Sequence, residues 1–266
     1  PMPDTMKLRK RDRQQKILDE FRLSPSVRLG DLAEHYAVTK ETIRRDIDEL
    51  SAQGLLARTY GGASLLNREP GLNERTRVNP EGRRRMAALA ADLIADSAIV
   101  MIDTGSTMIH VCERLALLVP NTGSIALTAI TNSLGNATIL GANPSIRVIL
   151  CPGTYDEREN AAFGPQTVEF IARFKVDAVL MSAGGLDGDI VSDANSEAVA
   201  VKRAMLRQAG RTILLMERRK FNHPQFEQVC TLSEISDLVT DSPVIAGSFA
   251  AAPATVTVHI AGAASD

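Results

Sequence analysis

Residues 101–110 read MIDTGSTMIH and combine small and polar side chains that could hold an anion. An apolar run ends before Asp103, and the loop that follows consists of Thr104, Gly105, Ser106 and Thr107. Backbone N–H groups and hydroxyls at the start of a helix suit a phosphate, and a glycine lets the backbone approach the ligand closely. An ordinary strand-to-helix turn with a serine cap explains the same residues, so the loop is a candidate anion site with a structural alternative.

Further polar or glycine-rich segments come after other predicted strands. Their candidate ligand residues are Thr131, Asn132, Ser133, Gly153, Thr154, Ala183, Gly184, Gly185, Glu197, Lys202 and Lys220. A lysine at the end of a strand can reach a phosphate or sugar oxygen as a point charge. A simple helix cap at 131–133 and a solvated Lys220 are the alternatives. Tyr155, Arg158 and Glu159 are further candidates for setting ligand preference.

From Gly82 onward, helical patterns alternate with short apolar runs, the pattern of strands buried on both faces. It predicts an α/β domain with a largely parallel sheet. Ligands of such sheets bind at the carboxyl ends of the strands, which is where the polar segments fall. The strands are predicted at 98–102, 124–129, 147–150, 178–182 and 212–216, with an edge strand at 255–260.

Residues 27–62 carry a different chemistry. Two short helical patterns are separated by a tight turn, and a short β-like segment with Gly-Gly follows. Thr39 is placed as the N-cap of the second of these helices, which buries Ile43, Ile47 and Leu50 and exposes arginines on the other side. A helix with one apolar and one basic face can enter a DNA major groove, so we predict a winged helix-turn-helix.

The candidate DNA-binding residues lie on this helix and on the predicted wing. They are Val27, Thr39, Lys40, Glu41, Thr42, Arg44, Arg45, Arg58, Tyr60, Gly61 and Gly62. A solvated charged face on an ordinary helix is the alternative. Residues 7–16, in a helical pattern that precedes this segment, carry six positive charges and one negative charge. Such a local basic stripe can contact DNA phosphates even though the whole chain has a net charge of −2.

These patterns divide the chain into a winged helix-turn-helix domain at 1–66, a linker at 67–81 and an effector-sensing α/β domain at 82–266. The linker is polar, holds two prolines and lacks apolar periodicity. Arg75 is expected to be a solvated linker residue, and a contact with a neighbouring element is the alternative.

Composition excludes several classes of protein. No apolar stretch approaches the ~20 residues of a membrane span, and the N-terminus lacks the apolar core of a secretory signal. The three cysteines are far apart, which favours buried thiols over a zinc site or a disulfide framework. We therefore expect a cytoplasmic protein that uses no cofactor and no metal.

The segment VRLGDLAEHYAVTKETIRRDIDELSAQGLLARTYGGA resembles the DeoR family of bacterial transcription regulators, and the similarity continues to about Asp241. This resemblance implies a C-terminal fold similar to ribose-5-phosphate isomerase and CoA transferase domains, with the 103–107 loop at the phosphate of a sugar. Thr104 stands where the family usually has glycine, and Pro152 replaces the first glycine of its Gly-Gly-Thr loop. Lys202 and Lys220 match lysines of the family pattern.

The resemblance implies a regulator that binds double-stranded operator DNA as a dimer or tetramer and responds to a phosphorylated sugar. The preferred form is a repressor of a carbohydrate operon that the ligand releases, and an activator is the alternative. The alternative is a phosphosugar isomerase fused to a DNA-binding module. Such an enzyme needs a carboxylate that moves a proton between sugar carbons, and Asp103, Glu197 and Glu217 are candidates. Because no sequence feature commits one of them to that role, we expect a protein that is not an enzyme and has no catalytic residues.

Overall fold

The computed structural model describes residues 9–23, 26–53, 56–59, 62–65, 71–243 and 255–262. Two compact units divide the chain between residues 69 and 70. The second unit therefore begins before the predicted boundary at 82, and the described part of the predicted linker, 71–81, belongs to it.

The first unit has the order of a winged helix-turn-helix. Its elements are α1 (Lys10–Leu23), β1 (Ser26–Arg28), α2 (Leu29–His35), α3 (Lys40–Ala52), β2 (Leu56–Thr59) and β3 (Gly62–Leu65). Ile17 from α1 and Leu32 from α2 pack with Ile43, Ile47 and Leu50 from α3. The predicted apolar face of α3 is thus the core of this unit.

Local chemistry sets the start of α3. Thr39 is the N-cap, and its hydroxyl accepts a hydrogen bond from the Thr42 backbone N–H at 3.2 Å. This bond satisfies a donor that the helix itself leaves free. Ala37 takes a left-handed conformation with φ of 50° in the turn between α2 and α3. Gly54, whose place in the sequence suits the C′ glycine that often ends a helix, lies outside the described residues.

The wing is a three-stranded antiparallel sheet in the order β1-β3-β2. The predicted wing is present as a hairpin of β2 and β3, with Arg58 opposite Ala63. β1 pairs with the other edge of β3 through Val27 and Ala63, a strand too short to show in the sequence pattern.

The second unit begins with α4 (Leu72–Arg75) and α5 (Pro80–Leu93). Leu72 is buried, so the segment is not a solvated linker. The sequence did not predict this burial, because the segment is polar and one buried leucine produces no apolar periodicity. Asn79 caps α5 from a left-handed conformation, and its amide also donates to Asp241 at 2.8 Å.

A seven-stranded sheet in the order β15-β14-β12-β9-β4-β5-β6 forms the centre of this unit. It is parallel, as predicted, but the strand at 237–240 was not among the six predicted strands. The strands are β4 (Ile99–Ile102), β5 (Leu127–Thr131), β6 (Ile146–Leu150), β9 (Val176–Ser182), β12 (Ala209–Leu215), β14 (Asp237–Thr240) and β15 (Thr257–Ile260). Its helices are α6 (Ser106–Leu118), α7 (Leu134–Gly141), α8 (Pro165–Ile171) and α9 (Ser196–Leu206), in addition to α4 and α5.

Two apolar cores cover the two faces of the sheet. In β9, Val179 and Met181 belong to one cluster, and Ala178 and Leu180 belong to the other. Side chains alternate between the faces of a strand, so a strand buried on both sides must be apolar throughout. This requirement explains why the central strands were visible in the sequence.

Two small antiparallel sheets were not predicted. β7 (Thr154–Asp156) pairs with β8 (Ala161–Phe163), and β10 (Gly185–Asp187), β11 (Ile190–Asp193) and β13 (Glu227–Thr231) form the other. Both follow central strands at their carboxyl ends, where they shape the loops around the candidate anion site. Among the described residues, no helix is long and apolar enough to cross a membrane.

Candidate nucleic-acid interface and anion-binding site

The exposed side of α3 carries the predicted recognition residues. Lys40, Glu41, Arg44 and Arg45 are exposed, whereas Ile43 and Ile47 are buried on the opposite side. Arg45 lies 3.6 Å from Glu41, an exposed ion pair one helical turn apart that holds the arginine only weakly. The arrangement presents two arginines on a helix that is fixed by its apolar face.

The wing residues are placed less completely. Val27 lies in β1, Arg58 in β2 and Gly62 in β3, all in the same small sheet. Tyr60 and Gly61 lie outside the described residues. The assignment of these wing positions to DNA contact remains a prediction.

The basic stripe of α1 is smaller than its composition suggests. Arg13 is buried and pairs with Asp46 of α3, and Lys10 pairs with Glu49 at 2.5 Å. Both ion pairs hold α1 against α3. Only Arg13 is withdrawn from solvent by its pairing, since Lys10 stays exposed. Arg9, Arg11 and Lys16 are exposed and keep the character of a phosphate-binding stripe.

In the second unit, β4 and β9 are the neighbouring strands from which the sheet grows in opposite directions. From β4 the chain continues to β5 and β6 on one side, and later strands add on the other side. Ligands of parallel sheets bind at such a switch point, beyond the carboxyl ends of the strands. Asp103 follows β4 and Ala183 follows β9, so the structure brings these two predicted segments together.

The centre of this region is a buried ion cluster. Lys202 of α9 pairs with Asp103 and lies 3.6 Å from Asp193 of β11. Asp103 is completely buried, and burial raises the pKa of its carboxyl group while Lys202 opposes that rise. Asp193 was not predicted, because it lies on a strand of four residues that the sequence pattern did not reveal.

The Asp103 carboxylate has one oxygen, Oδ1, that accepts no hydrogen bond from the described residues. Asn136, also missed by the sequence analysis, lies next to it and donates from Nδ2 to the Asp103 carbonyl at 2.9 Å. Buried acceptors without donors are uncommon in folded proteins, so this corner suits a donor such as a hydroxyl group.

The loop before α6 retains features of an anion site. Gly105 has φ of 132°, and no side chain among the described residues caps the start of the helix. The alternative of a serine-capped turn is therefore not what the structure shows. Ser106 and Thr107 are buried in the first turn, and Thr104 donates to the Glu159 carbonyl at 3.3 Å.

The residues at the end of β5 form a helix cap, which was the structural alternative for 131–133. Ser133 accepts from the Asn136 N–H at 3.3 Å, and Thr131 accepts from the Ser133 N–H at 3.1 Å. Asn132 donates to the Ala162 carbonyl at 3.0 Å. All three are buried, so their described bonds shape the floor of the site. Contact of these residues with a ligand stays a prediction.

Glycines after β6 and β9 permit close backbone packing. A Cβ on Gly153 would overlap the Phe163 carbonyl oxygen and the Thr167 hydroxyl, and one on Gly185 would overlap the His223 carbonyl oxygen. Thr154 is exposed beside this loop, and Glu197 is exposed on the first turn of α9. Gly153, Gly184 and Gly185 therefore have structural reasons for being glycine, independent of any ligand.

Lys220 connects two strand ends. It lies in a short 3-10 helix (Arg218–Lys220) after β12 and donates from Nζ to the Ala183 carbonyl at 2.7 Å. It is half-buried, not the solvated lysine of the alternative reading. Its position places a cation at the carboxyl ends of β9 and β12.

Glu217, just before Lys220, belongs to a second buried ion cluster. Its carboxylate accepts from Arg83 Nε at 2.5 Å and from Arg219. Arg83 is completely buried, and burial lowers the pKa of its guanidinium while Glu217 opposes that change. Arg83 was missed because three consecutive arginines at the start of a helix look like a solvated face.

Comparison with known proteins identifies both units. A family model described as DeoR-like helix-turn-helix domain matches residues 13–69, and one described as DeoR C terminal sensor domain matches residues 78–242. The uncharacterized HTH-type transcriptional regulator YulB of Bacillus subtilis (strain 168) is 30% identical over 235 residues, covering 87% of this chain and 88% of that protein.

Two further comparisons are with a curated protein and with a solved structure. The glycerol-3-phosphate regulon repressor of Escherichia coli (strain K12) is 27% identical over 230 residues, covering 85% of this chain and 89% of that protein. A solved D-ribose-5-phosphate isomerase in complex with phospho-erythronic acid has a TM-score of 0.39 and 16% identity, covering 53% of each chain. That structural likeness is too weak to carry an argument.

Proposed function

Because this chain belongs to the DeoR family of transcriptional regulators, we propose that it represses a carbohydrate operon and that a phosphorylated sugar bound at the strand ends of the sensor domain releases it from DNA. The observation that carries the DNA-binding part is α3, whose buried face fixes it while Arg44 and Arg45 are exposed. The name of the E. coli relative, a glycerol-3-phosphate regulon repressor, supports repression as the sign and the metabolism of a phosphorylated compound as the regulated process.

In the proposed complex, α3 lies in the major groove. Arg44 and Arg45 contact base edges or phosphates, with Lys40 and Thr42 close to the start of the helix. Arg58, Tyr60 and the adjoining glycines contact the sugar-phosphate backbone from the wing. Arg9, Arg11 and Lys16, at the start of α1 and on it, supply additional phosphate contacts, because they are exposed cations.

In the proposed sensor site, the two ends of the effector meet different chemistry. The phosphate faces the 103–107 loop at the start of α6, with Lys220 nearby as a point charge. Sugar hydroxyls face Asp103, Asn132 and Asn136. The Oδ1 atom of each of these side chains is buried and accepts no hydrogen bond from the described residues. Lys202 acts indirectly in this proposal, since it pairs with Asp103 and lies close to Asp193.

Repeated half-sites require more than one DNA-binding module. We propose that the chain acts as a dimer or tetramer, in which binding of one module raises the effective concentration of the next. The effector would act by favouring an arrangement of subunits whose module spacing no longer matches the operator. Because its target is chromosomal DNA, we place the protein in the cytoplasm.

The isomerase alternative is less well supported by the carboxylates that it would need. Asp103 pairs with Lys202, and Glu217 accepts from Arg83 and Arg219. Glu197 is exposed on the first turn of α9. A base that moves a proton between sugar carbons must be within hydrogen-bond reach of that proton. Incubation with ribose 5-phosphate and glucose 6-phosphate, followed by product analysis, would reveal isomer formation if the protein were an enzyme.

The DNA-binding proposal is tested with duplexes that the wild-type protein selects from a random-sequence library. The variant Arg44→Ala with Arg45→Ala should lose binding in a gel-shift assay while circular dichroism shows an intact fold. Arg114→Ala with Arg147→Ala is the matched control, because both arginines are exposed in the sensor domain and the loss of charge is the same. Unchanged affinity of the α3 variant would contradict the proposal.

The effector proposal is tested by thermal shift with sn-glycerol 3-phosphate, ribose 5-phosphate and glucose 6-phosphate. A ligand that binds only the folded protein raises its melting temperature by mass action. The same compound should lower the affinity for the selected duplex. If none of these compounds shifted melting or DNA affinity, control by these phosphorylated sugars would be ruled out.

A further inference from the structure

The segment that leads from the DNA-binding unit into the sensor unit is fastened to the candidate effector site. α4 is the first described element after the wing in chain order. Its Leu72 is buried, and the Leu72 N–H donates to the Arg158 carbonyl at 2.9 Å. Arg158 belongs to the loop between β7 and β8, one of the loops at the strand ends.

An ion pair strengthens this attachment. Arg75 Nη2 lies 2.5 Å from Glu159 Oε2, and each side chain is only 13% exposed. The Glu159 carbonyl in turn accepts from the hydroxyl of Thr104, in the candidate phosphate loop. Two hydrogen bonds therefore connect the phosphate loop, through one glutamate, to the helix that precedes the sensor fold.

A second route reaches the same helix from the other side of the site. Arg83 Nη1 donates to the Arg75 carbonyl at 2.5 Å, and Arg83 Nε donates to Glu217 at 2.5 Å. Glu217 is three residues before Lys220, which bonds to the end of β9. Arg75 is thus held at its side chain by the β7–β8 loop and at its carbonyl by a residue bonded to the β12 end.

We propose that these four residues, Arg75, Glu159, Arg83 and Glu217, form a latch that transmits occupancy of the effector site to the DNA-binding unit. The inference rests on the proposed function, since it describes how that site would regulate DNA binding. In this proposal the latched arrangement, with both ion pairs formed, is the one that binds operator. An anion at the phosphate loop changes the electrostatic environment of Glu159 and Glu217 and favours the unlatched arrangement.

Ion pairs suit such a role better than apolar contacts do. A buried ion pair adds little net stability compared with an apolar pair of the same shape, because both charges must be desolvated. It is, however, sensitive to another charge nearby and to the exact position of its partner. The coupling requires that the effector bind the two arrangements with different affinity.

The test uses the full-length protein and a duplex selected in vitro by the wild type. Arg75→Gln, Glu159→Gln and the double variant remove the side-chain contact of the latch. The reversed pair, Arg75→Glu with Glu159→Arg, can restore it. Arg77→Gln is the matched control, because Arg77 is an exposed arginine of the same segment. Each protein is measured without ligand and with sn-glycerol 3-phosphate, ribose 5-phosphate and glucose 6-phosphate.

Without ligand, each single Gln variant should bind the duplex about tenfold more weakly, a typical size for coupling between sites. The double variant should be no weaker than either single one, and the reversed pair should recover most of the affinity. Arg77→Gln should behave as wild type. With an active sugar phosphate, the Gln variants should show a smaller further loss than wild type does.

Wild-type DNA affinity in both single Gln variants without ligand would overturn the latch. Additive losses in folded variants, with no recovery in the reversed pair, would also overturn it, because they would show two independent structural effects. The ligand-free arm decides the latch by itself. Absence of a sugar-phosphate response in wild type would instead contradict the proposed function, so the two failures are distinguishable.

Discussion

Arg13 of α1 makes two hydrogen bonds to Asp46 of α3, from Nε to Oδ2 at 2.6 Å and from Nη2 to Oδ1 at 3.2 Å. Asp46 is nearly inaccessible to solvent, so a basic residue of the N-terminal stretch is used to hold the recognition helix. The pair lies on the side of α3 that faces α1, away from the exposed Arg44 and Arg45. The residues that position this helix are therefore different from the residues proposed to contact DNA.

Arg13→Ala should destabilise the DNA-binding unit by about 3–5 kcal/mol, because it leaves the Asp46 carboxylate buried without its main partner. Arg13→Met with Asp46→Leu should be much less harmful, since it removes both charges and fills similar volume. Urea unfolding of each variant measures the difference. Equal destabilisation by the single and the double variant would show that the charges do not interact as described.

Lys202→Met should likewise destabilise the sensor unit by about 3–5 kcal/mol, since it leaves Asp103 and Asp193 buried without their shared cation. Adding Asp103→Asn should recover part of the loss, because one uncompensated charge disappears. A double-mutant cycle from chemical unfolding gives the interaction between the two residues. Strictly additive losses would contradict the buried pair.

Gly185→Ala should destabilise the sensor unit by about 1–3 kcal/mol or more, because the added methyl group overlaps the backbone carbonyl of His223. Gly141→Ala is the control. Gly141 is the last residue of α7 and has no atom within 4 Å of an added Cβ, so alanine should be neutral or stabilising by up to about 1 kcal/mol. The melting temperature should fall in the Gly185→Ala variant and should stay the same or rise in the Gly141→Ala variant.

Asp237 makes stability depend on pH at the acidic end. Burial opposes its ionisation, but hydrogen bonds from Arg211 and His259 outweigh burial, so the pKa of Asp237 lies below its ordinary value. Its stabilising contribution is therefore complete above the pKa of an unfolded aspartate, about 4, and is lost as pH falls through the lower folded value.

Asp237→Asn should lower the free energy of unfolding at neutral pH and flatten its decline below about pH 4. Urea unfolding across a pH series measures both effects. Asp96→Asn, which removes an exposed carboxylate, is the control. An unchanged acid limb in the Asp237 variant would assign the pH dependence to other groups.

The sequence was most informative where local patterns decide structure. The central strands are apolar on both faces, and Thr39 caps α3 through a residue only three positions away. The α/β class, the parallel sheet and the winged helix-turn-helix order could therefore be predicted. The ends of the elements shifted by a few residues, as expected where helices and strands fray.

What could not be predicted depends on contacts between residues distant in sequence. Arg83 meets Glu217, and Asp103 meets Lys202, at separations that no periodicity encodes. The polar composition of 71–81 suggested a linker because its attachments are one leucine and single polar contacts. Candidate residues such as Ser133 combined a structural role with a possible binding role, and only the three-dimensional contacts showed the first.

The pairing of β15 with β14 has a consequence for shortened chains. Residues 257–260 supply the last neighbour of the β14 edge. In a chain cut before these residues, N–H and C=O groups along β14 lose their partners and are open to the edge strand of another copy. Such a chain should therefore aggregate more readily than the uncut protein, which light scattering at equal protein concentration measures.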